Sequence, residues 1–236
     1  MNDRPDSTLD RLGAVAGVAA VFLLVALFTV LPALPAPNHG LAKIADSARV
    51  NREGLLGGAY VGALFTAALL VFGACLSARL RRAEGSAGGW WLVSLVGTAG
   101  VAAGIVGNAL TITFVRAVGH GVDGDVLWLG YGTDHWLGVL IAVPLAVLLL
   151  GAGLGARRTR ILPRWLVWLA LGGAAALTVG GASVVGNEVD GGMLGTVLVL
   201  GYVALIVWIV GASVTLWRRS GVRVDAPAVA TGTLAS

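Results

Sequence analysis

Six long apolar stretches alternate with short polar segments along the chain. Each stretch is long enough to cross the roughly 30 Å of bilayer hydrocarbon as an α-helix, which takes about 20 residues. The pattern therefore predicts an all-α membrane protein built as a bundle of six transmembrane helices. The first stretch is longer than the apolar core of a signal peptide, so we expect a retained helix. The predicted spans are residues 12–34, 55–78, 90–115, 136–156, 165–185 and 193–217.

Three segments outside the spans have patterns of their own. Between the first two spans, Leu41, Ile44, Ala45 and Ala48 recur at helical spacing with charged residues between them. This pattern predicts a short amphipathic helix at the membrane surface. The glycines of segment 116–135 predict irregular structure before the fourth span. Residues 224–236, rich in Ala and Thr, predict a disordered tail after a single six-helix domain at 1–223.

The low content of charged residues indicates a membrane environment, and their distribution predicts which ends of the spans face the cytoplasm. The sequence is 57% hydrophobic and 12% charged, whereas soluble domains are about 25% charged. Basic residues gather in alternate loops, with twelve of the sixteen on one side. The positive-inside rule places that side, and both termini, in the cytoplasm. The twelve are Arg4, Arg11, Arg79, Arg81, Arg82, Arg157, Arg158, Arg160, Arg164, Arg218, Arg219 and Arg223.

Several classes of function are disfavoured by the residues that the spans lack. No ionisable side chain occupies the central part of a predicted span, which argues against a proton-coupled transporter, a voltage sensor and a retinal protein. The single cysteine, Cys75, excludes an intrachain disulfide and a multi-cysteine metal site. The spans also lack histidines placed for haem ligation, and no nucleotide-binding loop is present, so we predict no cofactor. Because the arginines are divided among short loops, they do not indicate nucleic acid as a partner.

Polar side chains collect in the outer third of the spans, opposite the arginine-rich side. By the helical period, three residues of the third span could line one groove. Others open the fourth span or close the fifth, so a single outer-leaflet pocket could gather them. The predicted ligand-binding residues are Asn108, Thr111, Arg116, His135, Asn187 and Glu188.

Three interpretations of these polar residues stay open. Glu188 or Asp134 could act as a general acid on a bound substrate. His39, His120 and His135 could bind a divalent metal with a nearby carboxylate, although their spacing is irregular. The third interpretation gives ordinary structural roles to the same region: Asp134 as the N-cap of the fourth helix, Asn108 bonding across helices, and Arg116 reaching to the interface.

The stretch ILPRWLVW at residues 161–168, followed by a Gly- and Ala-rich span, carries a resemblance to known proteins. With the outer amphipathic segment before residues 52–54 and the arginine-rich end of the second span, it resembles a broad group of six-helix bacterial membrane proteins of unknown function. The resemblance implies a bacterial inner-membrane protein and carries over no catalytic residues. High Ala, Val, Gly and Arg content with one lysine is typical of a GC-rich bacterial genome.

Together these patterns favour a non-enzymatic membrane protein that binds a small molecule, lipid or protein partner at an outer-leaflet pocket. It would act as a transporter-like protein or as an accessory subunit beside another membrane protein. The alternative is an intramembrane enzyme acting on a lipid or isoprenoid, with Glu188 or Asp134 as the acid. An enzyme needs an apolar cavity that leads to a desolvated carboxylate.

Overall fold

The computed structural model describes residues 5–32, 34–35, 40–85, 88–118, 120, 122–186 and 192–220. The predicted tail at 224–236 lies outside these residues. Over the described residues the chain is helical and has no strand. The helices are α1 (Pro5–Val30), α2 (Leu41–Val50), α3 (Arg52–Glu84), α4 (Trp90–Val101), α5 (Ala103–Ala117), α6 (Gly124–Leu140), α7 (Ala142–Thr159), α8 (Arg164–Gly181), α9 (Ser183–Gly186) and α10 (Met193–Ser220).

Six helical stretches are long and apolar enough to cross a membrane, as the sequence predicted. Four of them are single helices, whereas α4 with α5 forms the third stretch and α6 with α7 forms the fourth. The chain is therefore a multi-pass membrane protein. The stretches are Thr8–Val30, Arg52–Glu84, Trp90–Ala117, Gly124–Thr159, Arg164–Gly181 and Met193–Arg218.

The fourth stretch begins at Gly124, about twelve residues before the predicted start at 136. The prediction of irregular structure was wrong for this part of the segment, because α6 runs through Gly130 and Gly132. Glycine weakens a helix by about 1 kcal/mol per residue. Packing opposes that cost, since Leu127 and Tyr131 of α6 are buried among residues of α2, α3 and α5.

The six stretches form a closed ring in chain order. Each packs against the next, and α10 returns to α1. Short connections favour such antiparallel neighbours. Across the ring, α3 also contacts α7. Side chains fill the centre, where the fully buried rings of Phe72 and Trp208 meet edge to face with their centroids 5.9 Å apart.

Small residues allow α4 and α7 to cross almost backbone to backbone. A Cβ atom at Gly97 would lie 2.2 Å from the backbone nitrogen of Leu148, and one at Gly151 would lie 2.3 Å from that of Ser94. Lipid offers no hydrophobic drive for helix association, so close packing through small residues is a main attraction between spans. Three pairs of glycines stand four residues apart in the sequence, and each of these glycines also faces another part of the chain: Gly58 and Gly62, Gly100 and Gly104, and Gly151 and Gly155.

Two carboxylates organise the end of the bundle where α3 and α7 finish and α8 begins, which we call the arginine-rich end. Asp10 of α1 accepts a hydrogen bond from Arg79 of α3, and both side chains are largely buried. This is the one ion pair among the described residues. Glu84 Oε2 accepts a hydrogen bond from the backbone N–H of Trp90 at 3.1 Å. A carboxylate at the first turn of α4 is favoured by the helix dipole.

Helix α2 occupies the place of the predicted amphipathic helix, at the opposite end of the bundle. Its apolar residues Ile44, Ala45 and Ala48 are buried within the protein. They belong to a cluster with Phe114 of α5 and Tyr131 of α6. The charged side chains of α2 are exposed. Its apolar face is therefore covered by the bundle itself.

Replacing Gly97 with alanine should lower the thermal stability of the protein. The added Cβ would meet the backbone of Leu148 at 2.2 Å, and overpacking of this kind costs about 1–3 kcal/mol. Gly172→Ala is the matched control, because Gly172 is an exposed glycine of α8 with open space beside it. We expect that control to be neutral or slightly stabilising. Thermal unfolding of both variants in detergent micelles checks this, and equal melting temperatures would contradict the close crossing.

Candidate functional site

The structure brings two of the predicted polar residues together between α5 and α6. The hydroxyl of Thr111 donates a hydrogen bond to Oδ2 of Asp134 at 2.8 Å. Both side chains are half-buried. The other carboxylate oxygen of Asp134 faces Gly107, where an added Cβ would lie 3.7 Å away. A carboxylate and a hydroxyl therefore point into the interface between the third and fourth spans.

Asp134 does not cap the fourth helix, so that structural interpretation was wrong. Helix α6 begins at Gly124 and Asp134 lies in its interior. The N-cap is Asp123, whose Oδ1 accepts a hydrogen bond from the backbone N–H of Asp125 at 2.8 Å. An interior position leaves the Asp134 carboxylate free to face a neighbouring helix.

Asn108 lies one helical turn from Thr111 along α5 and faces α3. Its Nδ2 donates a hydrogen bond to the carbonyl of Gly104 at 2.6 Å, within its own helix. The carboxamide rests against Gly62 of α3, where a Cβ would come within 2.3 Å of Oδ1. Asn108 therefore occupies the contact between α3 and α5, as a packed polar residue.

Three other predicted residues have contacts of their own. Arg116 is exposed, and its carbonyl oxygen lies 2.7 Å from Nδ1 of His120. The ring of His135 packs against Tyr131 and Trp136, with centroid distances of 6.3 Å and 5.0 Å. Within the described part of the chain, no basic side chain is within ion-pair distance of Asp134.

The remaining candidates, His39, Asn187 and Glu188, lie outside the described residues. The metal site and the role of Glu188 as an acid therefore stay predictions. Among the residues that are described, no three His, Cys, Asp or Glu side chains are grouped so that they could hold a metal ion.

An apolar groove of about 380 Å³ runs between the third and fourth spans. The residues that line the groove are three or four positions apart along each helix. The next positions on the same helix faces are Gly107 and Thr111 of α5 and Asp134 of α6. The groove and the polar pair therefore lie along one interface, with the pair beyond the end of the groove that is farther from the arginine-rich end. The lining residues are Val96, Gly97, Gly100, Ala103, Leu137, Leu140, Ile141, Val143, Pro144 and Val147.

Both helices that form the groove are interrupted beside it. The third span is divided at Ala102, whose N–H bonds to the carbonyl of Ala99 in the tighter pattern of a 3₁₀ turn. The fourth is divided at Ile141, three residues before Pro144. Proline has no N–H to donate to the carbonyl four residues earlier, so a break near this point was expected. Interrupted helices frame the ligand sites of many transporters.

The groove is the feature that the sequence analysis missed. Residues that line a groove and residues that face lipid are both apolar, so hydropathy does not separate them. The usable signals were Pro144 and the run of small residues from Gly97 to Ala103. Each signal indicated an irregular helix, but neither showed which other helix lies beside it.

Comparison with known proteins gives no assignment: no family model, curated protein or solved structure matches this chain. The resemblance to bacterial six-helix proteins therefore stays a prediction. The function has to be inferred from the geometry of the groove and the polar pair.

Replacing Thr111 with valine should destabilise the protein, because it removes the described hydrogen-bond donor to Asp134. A hydrogen bond to a charged group contributes about 1.5–3 kcal/mol. Thr113→Val is the matched control, since Thr113 is exposed on the same helix and bonds only to the carbonyl of Ala109. That change should stay within about 0.5 kcal/mol of wild type. Thermal unfolding with an Asp134→Ala double-mutant cycle measures the coupling, because alanine removes the acceptor, and additive effects would refute it.

Proposed function

We propose that this protein is a bacterial inner-membrane protein that binds a small amphiphile between its third and fourth spans. The apolar part of the ligand would lie in the groove, and its head group would meet Thr111 and Asp134 in the outer half of the bilayer. The observation that carries this proposal is the alignment of the groove with that polar pair along one interface.

The groove has the properties of a ligand site. Its volume of about 380 Å³ falls within the roughly 300–1,000 Å³ of small-molecule sites, which combine apolar walls with a few polar groups. Its walls come almost entirely from aliphatic residues and glycine. An alkyl or isoprenoid chain suits such walls, because it has no polar atoms to satisfy.

The polar pair favours one kind of head group. No described basic side chain lies within ion-pair distance of the half-buried Asp134 carboxylate, and an unpaired carboxylate is costly in a membrane. An ammonium group on the ligand would supply the missing counter-charge to Asp134 and also donate hydrogen bonds. An anionic head group would instead be repelled. The preferred ligand is therefore an amphiphile with an amine head, followed by one with a hydroxyl head.

An apolar groove in line with a half-buried carboxylate also meets the geometric requirement for an enzyme, but the described hydrogen bonding of Asp134 favours binding over catalysis. General acid catalysis of lipid or isoprenoid chemistry would need Asp134 to exchange protons with substrate or with a second titratable group. Its described hydrogen-bond partner is the hydroxyl of Thr111, which does not titrate near neutral pH. A transporter-like or accessory role uses the same groove without such a relay.

The charge distribution supports both termini in the cytoplasm. The arginines that end α3 and α7 and begin α8 lie at one end of the bundle, and this is the end that the positive-inside rule assigns to the cytoplasm. Helix α2 then lies at the outer membrane surface, with its charged face towards water and its apolar face against α3, α5 and α6. The groove's polar end lies on the same outer side.

A photoreactive alkylamine should label the groove of the protein in phosphatidylcholine vesicles. We would use diazirine-bearing hexadecylamine and map the labelled peptides by mass spectrometry. Ala103→Phe should reduce labelling of the 96–103 and 137–147 peptides, because a phenyl ring at this lining position fills the groove. Asp134→Asn should reduce it about fivefold or more, the factor that corresponds to about 1 kcal/mol of charge pairing.

The controls separate the groove from the lipid-facing surface. Ala109→Phe adds the same ring at an exposed position of α5 outside the groove lining, so labelling should be unchanged. The matching hexadecanoic acid probe should label the groove weakly, because its carboxylate head group has the same negative charge as Asp134 and is repelled by it. Equal labelling by the acid and the amine, or equal loss in both phenylalanine variants, would refute the proposal.

Cysteine labelling should show that α2 faces the outside of the cell. In a Cys75→Ala background, Ala42→Cys on the exposed side of α2 should react with a membrane-impermeant maleimide in intact spheroplasts. Ala83→Cys, exposed in the last turn of α3, should react only after permeabilisation. The reverse pattern would invert the proposed orientation.

A further inference from the structure

We infer that the arginine-rich end holds a second site, which binds an anionic phospholipid with two phosphates around the start of α8. This site is remote from the groove and does not depend on a ligand bound there; it rests on the proposed function only for its place on the cytoplasmic side. Basic pockets between transmembrane helices on the cytoplasmic side are a known kind of site for multiply charged lipid head groups.

Two cavities flank the segment that joins α7 to α8. Their volumes are about 520 Å³ and about 530 Å³. Both are lined by Arg160, Leu162 and Pro163, so the two cavities meet at this segment. The first adds two arginines of its own, Arg157 and Arg164.

The second cavity lies between α8 and α10. It adds Arg218 to the shared Arg160, so each cavity has at least one basic residue of its own beside the shared one. A lipid with one phosphate would engage one cavity and leave the other unmatched. A lipid with two phosphates joined by a short linker can place one phosphate on each side of Pro163.

The positive charge in these cavities is not neutralised by the described residues. Asp10 pairs with Arg79, and no described carboxylate forms an ion pair with an arginine that lines these cavities. Helix α8 has no acidic residue in its first turn and no side-chain cap. Its N-terminal dipole therefore adds to the positive field of the arginines.

Arg160 itself indicates that its side chain has a role. It is the one non-glycine residue with positive φ in the described chain, with φ 57° and ψ 27° at the C-cap of α7. Its N–H closes the helix on the carbonyl of Ala156 at 2.8 Å. Glycine is the residue usually favoured at such a cap, because a Cβ is strained there. Capping alone does not account for arginine at this position.

The aromatic and apolar walls favour a lipid over a soluble phosphate. Trp168 in the first cavity is 66% exposed and Trp165 in the second is 55% exposed, as interfacial tryptophans are. Arg157 lies over the ring of Trp168, 6.0 Å from its centroid. Val167 and Val214 continue the walls towards the hydrocarbon. Acyl chains fit along these surfaces while the phosphates meet the arginines.

Native mass spectrometry of the delipidated full chain, titrated with cardiolipin, tests the inference. We expect one cardiolipin per chain, bound more tightly than phosphatidylglycerol at equal phosphate, with little binding of phosphatidylcholine. Arg160→Gly should weaken cardiolipin binding about fivefold or more. Because glycine relieves the positive φ, the melting temperature of this variant should be unchanged or higher. Arg164→Gln should weaken binding to a similar degree.

The control is Arg158→Gln, which removes one charge from the same turn of α7 at a residue outside both cavities. It should leave cardiolipin binding within about twofold of wild type. Equal losses of cardiolipin affinity in Arg158→Gln and Arg164→Gln would show that binding depends on general surface charge, and would overturn the proposed site. Two independent phosphatidylglycerol molecules binding as tightly as one cardiolipin would overturn the two-phosphate assignment. Displacement of cardiolipin by an equal concentration of pyrophosphate would overturn the assignment to a lipid.

Discussion

The close crossing of α4 and α7 is the contact on which the other features of the bundle depend. In lipid, apolar side chains gain nothing by leaving one apolar solvent for another, so helices associate through dispersion contacts that require close approach. Gly97 and Gly151 let two backbones meet with almost no side chain between them. This crossing holds the third span to the fourth. It therefore fixes one wall of the groove against the other and sets the position of α7, which ends in the arginine-rich end.

The number of spans and the distribution of arginines could be predicted from sequence because both are local properties. An apolar run of 20 residues has few structures available in lipid other than a helix. The start of the fourth span, by contrast, depends on contacts with other helices and not on local sequence alone. Gly130 and Gly132 argue against helix by intrinsic propensity, but buried Leu127 and Tyr131 hold α6 in place through contacts with other helices. Tertiary packing overrode the local preference, as it does where a helical segment gains a buried face.

The candidate site shows the same contrast between local properties, which sequence reveals, and contacts between helices, which it does not. Thr111 and Asp134 were recognisable as polar residues in the outer third, but a helical wheel does not say which neighbour each one meets. Their contact depends on α5 and α6 lying side by side. The predicted cap at Asp134 was wrong because it rested on the misplaced helix start. The groove was missed for a different reason, since its apolar walls have the composition of any lipid-facing surface. The places of His39 and Glu188 stay predictions.

The interruptions at Ala102 and Ile141 have a mechanical consequence. Ala102 lies in a tighter 3₁₀-type turn, and Pro144 beside Ile141 has no N–H to donate to the carbonyl of Leu140. Bending at these two points therefore costs less than bending elsewhere along the span. Both border the groove, and beyond them α5 and α6 are joined by the bond between Thr111 and Asp134. We therefore expect bending in this region to tilt α5 together with α6 over the crossing of α4 and α7. Such a shared tilt would change the width of the groove.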